Sequence, residues 1–298
     1  MIKYKAFIKI VECGNFTRAA KELGYSQPGI SHMIDALEKE FGFSLLLRNK
    51  DTITPTEDGR KILQYCYRLV QDEKELLETV DSINGLMSGT IRIGALNSLV
   101  LQFIPDVIVN FSRAFPDIEV MLREFASDEG MSALNDGRID LLFSTDNLQK
   151  QMEFIPLFTD PICLIMHEEH PFTTMKRIPV NSLKSCDFIM PEEGWDDLAR
   201  PLIDAIGSIP HIRHMTASDT ASIALVSRGM GVFPISRLQT ARLPDNVVWR
   251  EFKEDFHRNM GIGLRSLKSA PPAQKEFVKV AQSAAQKITC YESQNINS

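Results

Sequence analysis

The chain has 298 residues, 44% of them hydrophobic and 24% charged, with a formal net charge of −6. That length accommodates a small domain beside a larger unit with its own core. With no run of about 18 apolar residues and no cleavable signal, the composition excludes a membrane span, and the expected location is the cytoplasm. The acidic total argues against indiscriminate nucleic-acid binding, but the charge is uneven. Residues 1–68 hold 11 Lys and Arg against 8 Asp and Glu, whereas residues 69–89 hold 1 against 5.

The first informative stretch runs from Phe16 to Phe41. Phe16, Ala19, Ala20 and Leu23 recur on one helix face, and Gly24 ends that helix with a residue that tolerates positive φ. Ser26 is then an N-cap candidate, and Pro28 suits a first turn where an N–H has no intrahelical partner. A second apolar face follows as Ile30, Met33, Ile34, Leu37 and Phe41. Two helices joined by a short Gly-containing turn form a helix-turn-helix, whose second helix enters the DNA major groove. The opposite face of that helix carries Pro28, His32, Asp35, Ala36 and Lys39, flanked by Gln27 and Ser31, groups suited to base edges. The alternative is the solvent face that any amphipathic helix has. Leu45 to Leu47 pack back on the unit, and residues 48–55 read as a short two-stranded wing. Arg48, Lys50, Arg60 and Lys61 are placed to reach phosphates.

These residues carry a resemblance to a known family. Asn15-Phe16-Thr17-Arg18-Ala19-Ala20, Leu23, Ser26-Gln27-Pro28-Gly29-Ile30-Ser31, Leu37-Glu38, Arg48 and Thr54-Pro55-Thr56-Glu57-Asp58-Gly59 resemble the N-terminal signature of LysR-type transcriptional regulators. The departures are Asn15 where Ser is common, Gly29 for Ala, Leu46 for Phe, and His32 where Arg is frequent. The resemblance implies operator DNA as partner, met by Thr17, Ser26, Gln27, Pro28, Ser31, His32, Arg48 and Lys50. It also implies a homodimer or homotetramer, a small-molecule effector, and contact with RNA polymerase.

From Thr56 onward the pattern becomes one long helix. Ile62, Cys66, Leu69, Glu73, Leu76, Val80, Ile83 and Met87 alternate in steps of four and three, a coiled-coil stripe that only Glu73 interrupts. About 30 residues at 1.5 Å rise make a rod of roughly 45 Å. The alternatives are pairing with a second chain's helix and packing on the chain's own body. Ser88-Gly89 is the expected hinge, giving a DNA-binding domain over 1–58, a dimerisation helix over 59–89 and a regulatory domain over 90–298.

Strand and helix patterns then alternate: a strand at Thr90–Ala95, a helix over Leu101–Phe115, a strand at Ile118–Phe125, a helix near Gly130–Asp136 and a strand at Ile139–Phe143. Alternation predicts an α/β doubly wound sheet with ligands at the strands' carboxyl ends. Phe103-Ile104-Pro105, Phe115-Pro116-Asp117, Gly137-Arg138-Ile139-Asp140 and Gly229-Met230-Gly231-Val232 resemble the family's effector domain. That resemblance implies two subdomains facing each other across a cleft, as in periplasmic solute-binding proteins. They would span about 90–162 with 269–298, and about 163–268.

Asn97, Ser98, Ser127, Trp195, Asp219 and Thr220 are the candidate effector contacts. Ser98 and Asp219-Thr220 stand at helix starts, where an N-cap role and a ligand contact are both open. No metal or cofactor is expected. His167/His170 and His211/His214 have i, i+3 spacing, yet two histidines make a weak site. The five cysteines, Cys13, Cys66, Cys163, Cys186 and Cys290, are scattered and odd in number, which suits reduced thiols, although a Cys163–Cys186 redox switch is conceivable. No nucleophile elbow or Gly-rich phosphate loop points to an enzyme. The competing reading is a cytoplasmic small-molecule-binding protein without a DNA role.

Overall fold

The computed structural model describes residues 1–48, 52–83, 89–125, 127–148, 152–192 and 195–295. The chain divides into two compact units, one formed mainly by residues 1–88 and the other by 89–134 with 140–298.

The first unit contains α1 (Ile2–Cys13), α2 (Phe16–Leu23), α3 (Gln27–Phe41), the wing strands β1 (Leu46–Arg48) and β2 (Ile53–Pro55), and α4 (Glu57–Ile83). Its core gathers Phe7, Ile10, Phe16, Ala20, Ile30, Ile34, Leu37 and Leu45, so the apolar faces expected of α2 and α3 meet there. Both helix starts are capped: Asn15 accepts from the N–H groups of Thr17 and Arg18, and Ser26 from that of Gly29. Gly24 ends α2 in the left-handed region at φ 73°. The wing is tied to α3 by Glu38, whose Oε1 accepts from the N–H groups of Leu45 (2.6 Å) and Leu46 (3.2 Å). Gly59 permits the closest approach in this unit, since a Cβ there would lie 2.1 Å from the Leu45 carbonyl oxygen.

Helix α4 spans 27 residues, and its first two, Glu57 and Asp58, lie inside the expected DNA-binding domain. Its stripe is not uniform. Cys66 is buried in the unit's own core, with Ile62 packed against it, whereas Leu69, Leu76 and Val80 are 44–63% exposed. The first two positions of the expected dimer seam are therefore used within the chain, because α1 packs on α4. Glu73, the break in the stripe, pairs with Lys5 at 2.7 Å. Met87 lies outside the described residues.

The second unit follows as β3 (Gly89–Ala95), α5 (Asn97–Gln102), α6 (Ile104–Ala114), β4 (Ile118–Glu124), α7 (Ser127–Asn135), β5 (Leu141–Thr145), β6 (Glu153–His167), β7 (Asp187–Pro191), α8 (Arg200–Ile206), β8 (His211–Thr216), α9 (Asp219–Val226), β9 (Phe233–Ser236), β10 (Val247–Glu251), β11 (His257–Leu264) and α10 (Pro272–Asn295). A seven-stranded sheet has the order β10-β6-β11-β5-β3-β4, with β9 also on β6, while β7 and β8 pair in parallel. The single helix expected over 101–115 is two helices broken at Phe103, with Pro105 opening the second.

Strand β6 is 15 residues long and belongs to both subdomains: its first part pairs with β11, its last part with β9 and β10. Strand β11 is the second crossing and pairs with β5. Residues 257–264, assigned from sequence to the second subdomain, thus belong to the sheet of the first. A strand flanked by two others cannot be detached from them without losing its ladder bonds, and sequence spacing carries no record of those partners. The first subdomain's core includes Phe111 and Phe277, with ring centroids 4.8 Å apart, which docks α10 on α6. The second is built around Phe188, Leu202, Leu183 and Val232.

Candidate nucleic-acid interface and ligand cleft

In the first unit Thr17, Ser26, Gln27, Pro28, His32 and Arg48 are exposed and Ser31 is half-buried; Lys50 lies outside the described residues. The α3 residues among them occupy the polar face opposite Ile30, Ile34 and Leu37, which are fully buried. The cations next to this face are engaged. Arg48 donates to Asp35 at 2.8 Å and lies over the Phe16 ring. Lys61 pairs with Glu57 and Asp58, and Arg60 donates to the Pro55 carbonyl. Exposed pairs of this kind contribute little, so a phosphate can displace the carboxylate readily.

In the second unit a cavity of about 490 Å³ opens between the subdomains. Asn97, Ser98, Asp219 and Thr220 all line it, together with Glu124, Glu129, Asp197, Thr216, Gln239 and Arg258. Ser127 opens α7 and Trp195 opens a short helical turn ending at Ala199, and their side chains lie outside the described residues.

Neither proposed cap role holds. The residue before α5 is Leu96 and the residue before α9 is Ser218, and neither side chain caps its helix. Asp219 sits one position and Ser98 and Thr220 two positions past the cap, inside the first turn, so their side chains can meet other partners. Asp219 accepts from Gln239 Nε2 at 2.6 Å, and the same amide nitrogen donates to Asn97 Oδ1 at 2.9 Å. Gln239 thereby bridges the subdomains.

Beneath it is a buried polar cluster at the crossing strands. Asp160 on β6 accepts from Arg258 on β11 at 2.5 Å, from Ser236 Oγ at 2.6 Å and from the Leu238 N–H at 3.3 Å. Arg258 also donates to Ser98 Oγ at 3.2 Å. Sequence reading missed Asp160, Gln239 and Arg258. The available signal was an Asp in a largely apolar strand, an Arg in the polar run His257-Arg258-Asn259 and a Gln in a polar turn, which is too common to single them out.

A larger hollow of about 740 Å³ lies elsewhere, between α6, α10 and Trp249, with the Arg237 guanidinium 4.0 Å above the indole ring. It contains none of the expected contacts. The cleft, smaller but lined from both subdomains, is the stronger candidate because a ligand there touches both bodies at once.

The thiols and histidines have structural surroundings. Burial pushes Cys163 up to about 12 and Cys186 up to about 11, holding both as unreactive thiols in separate apolar clusters. His170 Nδ1 accepts from the Phe172 N–H, and His211 Nδ1 lies 2.8 Å from Asp187. Arg213 beside Asp187, with His211, holds that carboxyl below the usual range. No group of three metal-ligating side chains occurs among the described residues.

A model of the bacterial regulatory helix-turn-helix protein, lysR family, matches residues 2–60, and one of the LysR substrate binding domain matches residues 84–286. The chain belongs to the LysR family. It is a DNA-binding, ligand-responsive transcriptional regulator with an N-terminal helix-turn-helix and a C-terminal effector-binding domain. This LysR-type chain is 28% identical over 284 residues to the uncharacterized HTH-type transcriptional regulator YvbU of Bacillus subtilis, covering 93% of this chain and 96% of the relative. It is 26% identical to the DNA-binding transcriptional dual regulator OxyR of Escherichia coli over 87% of each chain. Among solved structures, a Cys-to-Asp variant of full-length OxyR from Pseudomonas aeruginosa superposes with a TM-score of 0.76 at 19% identity, covering 95% of this chain and 93% of the other. Full-length CbnR in complex with its target DNA superposes at 0.68 and 22% identity, covering 95% and 99%. At these identities the structures establish shared fold alone. Among the described residues, no helix is long and apolar enough to cross a membrane.

Proposed function

We propose that this LysR-type regulator works in the cytoplasm as a dimer or tetramer without enzymatic activity. Gln27, Pro28, Ser31 and His32 read base edges; Thr17, Ser26, Arg48 and Lys50 position the phosphate backbone. Exposed Leu69, Leu76, Leu77 and Val80 on α4 form the pairing surface, because an apolar row of that size on one helix is rarely left in water. RNA polymerase is its further protein partner at the promoter.

The observation that carries the regulatory half is Gln239. One amide nitrogen holds Asn97 from the first subdomain and Asp219 from the second, at the wall of a cavity both subdomains line. A ligand that competes for these groups binds one arrangement of the subdomains better than the other, and its differential affinity shifts the population. The test fills the cleft: Ala217 is exposed and lines the cavity, so Ala217→Trp occupies the ligand's space. DNase footprints of this variant on the intergenic operator should be locked in one pattern, whatever metabolite extract is added. A footprint that still responds as in the unmodified protein removes the cleft as the effector site.

A further inference from the structure

The hollow of about 740 Å³ between α6, α10 and β10 has the size of a small-molecule site, since such sites run to roughly 300–1,000 Å³. Its apolar side is made by Phe103, Pro161, Trp249, Ala284 and Ile288. Its polar side carries three cations, Arg113, Arg237 and Lys287, and among the described residues no carboxylate pairs with any of them. The carboxylates of the lining do not offset them: Glu251 is held by Arg177 at 2.8 Å, and Asp106 is exposed in the first turn of α6. Arg237 is the informative member. It is half-buried, its guanidinium lies 4.0 Å from the centre of the Trp249 ring, and Nη1 donates to Thr240 Oγ1 at 2.6 Å. Among the described residues its Nε and Nη2 have no hydrogen-bond partner. An indole face favours the cation, but the open guanidinium edge is matched only by an acceptor pair, and a carboxylate takes two parallel bonds from it. The same stretch of chain also reaches the cleft. Arg237 and Gln239 both belong to the short 3₁₀ turn Arg237–Arg242, and buried Gln239 bridges Asn97 and Asp219 in the cleft wall.

We propose that this hollow is a second ligand site, for a carboxylate carried on an apolar body, and that it is coupled to the cleft through the Arg237–Arg242 turn. The carboxylate pairs with the open edge of Arg237, Arg113 and Lys287 add attraction at the rim, and the apolar body lies against Phe103 and Ile288. A neutral compound of the same shape leaves the guanidinium unmatched, and an amine meets uncompensated positive charge. Drawing Arg237 toward a ligand moves the backbone that carries the Gln239 amide, so occupancy of the hollow changes the grip of Gln239 on Asn97 and Asp219. The coupling, but not the binding, rests on the cleft being the effector site.

The test titrates the full-length protein with naphthoate, the neutral naphthalenemethanol and the cationic naphthylmethylamine, read by isothermal titration calorimetry. Naphthoate should bind about tenfold or more tightly than either of the others. Arg237→Gln should remove that preference, and Ala284→Leu, which narrows the hollow from α10 and keeps every charge, should abolish binding. Lys287 is exposed, so Lys287→Gln carries the test even where Arg237→Gln fails to fold, and it should weaken naphthoate alone. Ala217→Trp fills the cleft instead and should retain naphthoate binding. Hydrogen exchange of residues 97–102 and 219–226 should change when naphthoate is added to the unmodified protein and stay constant in Ala284→Leu. Equal affinity for the three probes, or no naphthoate binding, overturns the site. Binding lost in Ala217→Trp and kept in Ala284→Leu puts the probe in the cleft and overturns the site as well. Binding in the hollow with unchanged exchange in both segments overturns the coupling and leaves the cleft standing as the effector site.

Discussion

At the scale of single residues, the DNA-facing surface separates side chains that specify from those that only hold. Gln27 is exposed at the start of α3, and among the described residues no hydrogen bond is recorded for its side chain, so its amide is available for a base edge. Arg48 is committed to Asp35 in the free protein, and it reaches a phosphate only by giving up that exposed pair. Gln27→Ala should therefore cost roughly 1–3 kcal/mol of operator binding and relax preference at one base position. Arg48→Ala should weaken all sequences alike and reduce the slope of log affinity against log salt by about 1. Fluorescence anisotropy with operator and scrambled duplexes across a salt series measures both. Equal losses on the two duplexes for Gln27→Ala would take base reading away from that residue. His32 stands on the same exposed face, and an imidazole lacks the two-pronged donor geometry of an Arg at that position.

At the scale of elements, sequence pattern read local structure well and long-range partners poorly, for a physical reason. The helices of the first unit were legible because each has its own punctuation: Asn15 and Ser26 as caps, Gly24 at positive φ, and apolar residues at helical spacing. The break at Phe103 and the positions of Ser98 and Thr220 inside first turns were not, since cap and first-turn residues differ by only one or two positions of chain path. The assignment of β11 to the wrong subdomain has the same origin: a strand's membership is set by neighbours 100 residues away. Helix α4 illustrates both sides. Its four-three stripe was visible, yet which part faces the chain's own core depends on α1, and only tertiary packing puts Cys66 inside and Leu76 63% exposed. The exposed part makes a prediction. Leu76→Glu places a charge in a desolvated pairing surface, whereas Cys66→Ala acts on the head's own core. Light scattering should report smaller particles for Leu76→Glu with an unchanged circular dichroism spectrum, and operator binding should fall because two heads no longer engage two half-sites together. An unchanged particle mass would assign the exposed leucines another purpose.

At the scale of the molecule, the two units have separate cores, and the regulatory unit is closed on itself by the Asp160–Arg258 pair on its two crossing strands. Asp160 is 1% exposed and Arg258 8% exposed, and the carboxylate also takes Ser236 and the Leu238 backbone. Replacing such a pair with apolar groups is often harmless, but removing one charge leaves the other buried without compensation, at about 3–5 kcal/mol. Asp160→Asn keeps the shape and the acceptor oxygen and removes only the charge. For a unit of this size each kcal/mol moves the melting midpoint by about 2–4 °C, so the regulatory unit's calorimetric transition should drop by at least roughly 6 °C. The transition of residues 1–83, whose core of Phe7, Ile30, Ile34 and Leu37 shares nothing with that pair, should stay where it is. If both transitions fall together, the units unfold as one cooperative body, and the effector-binding domain communicates with the DNA head through shared stability rather than through the arrangement of two independent parts.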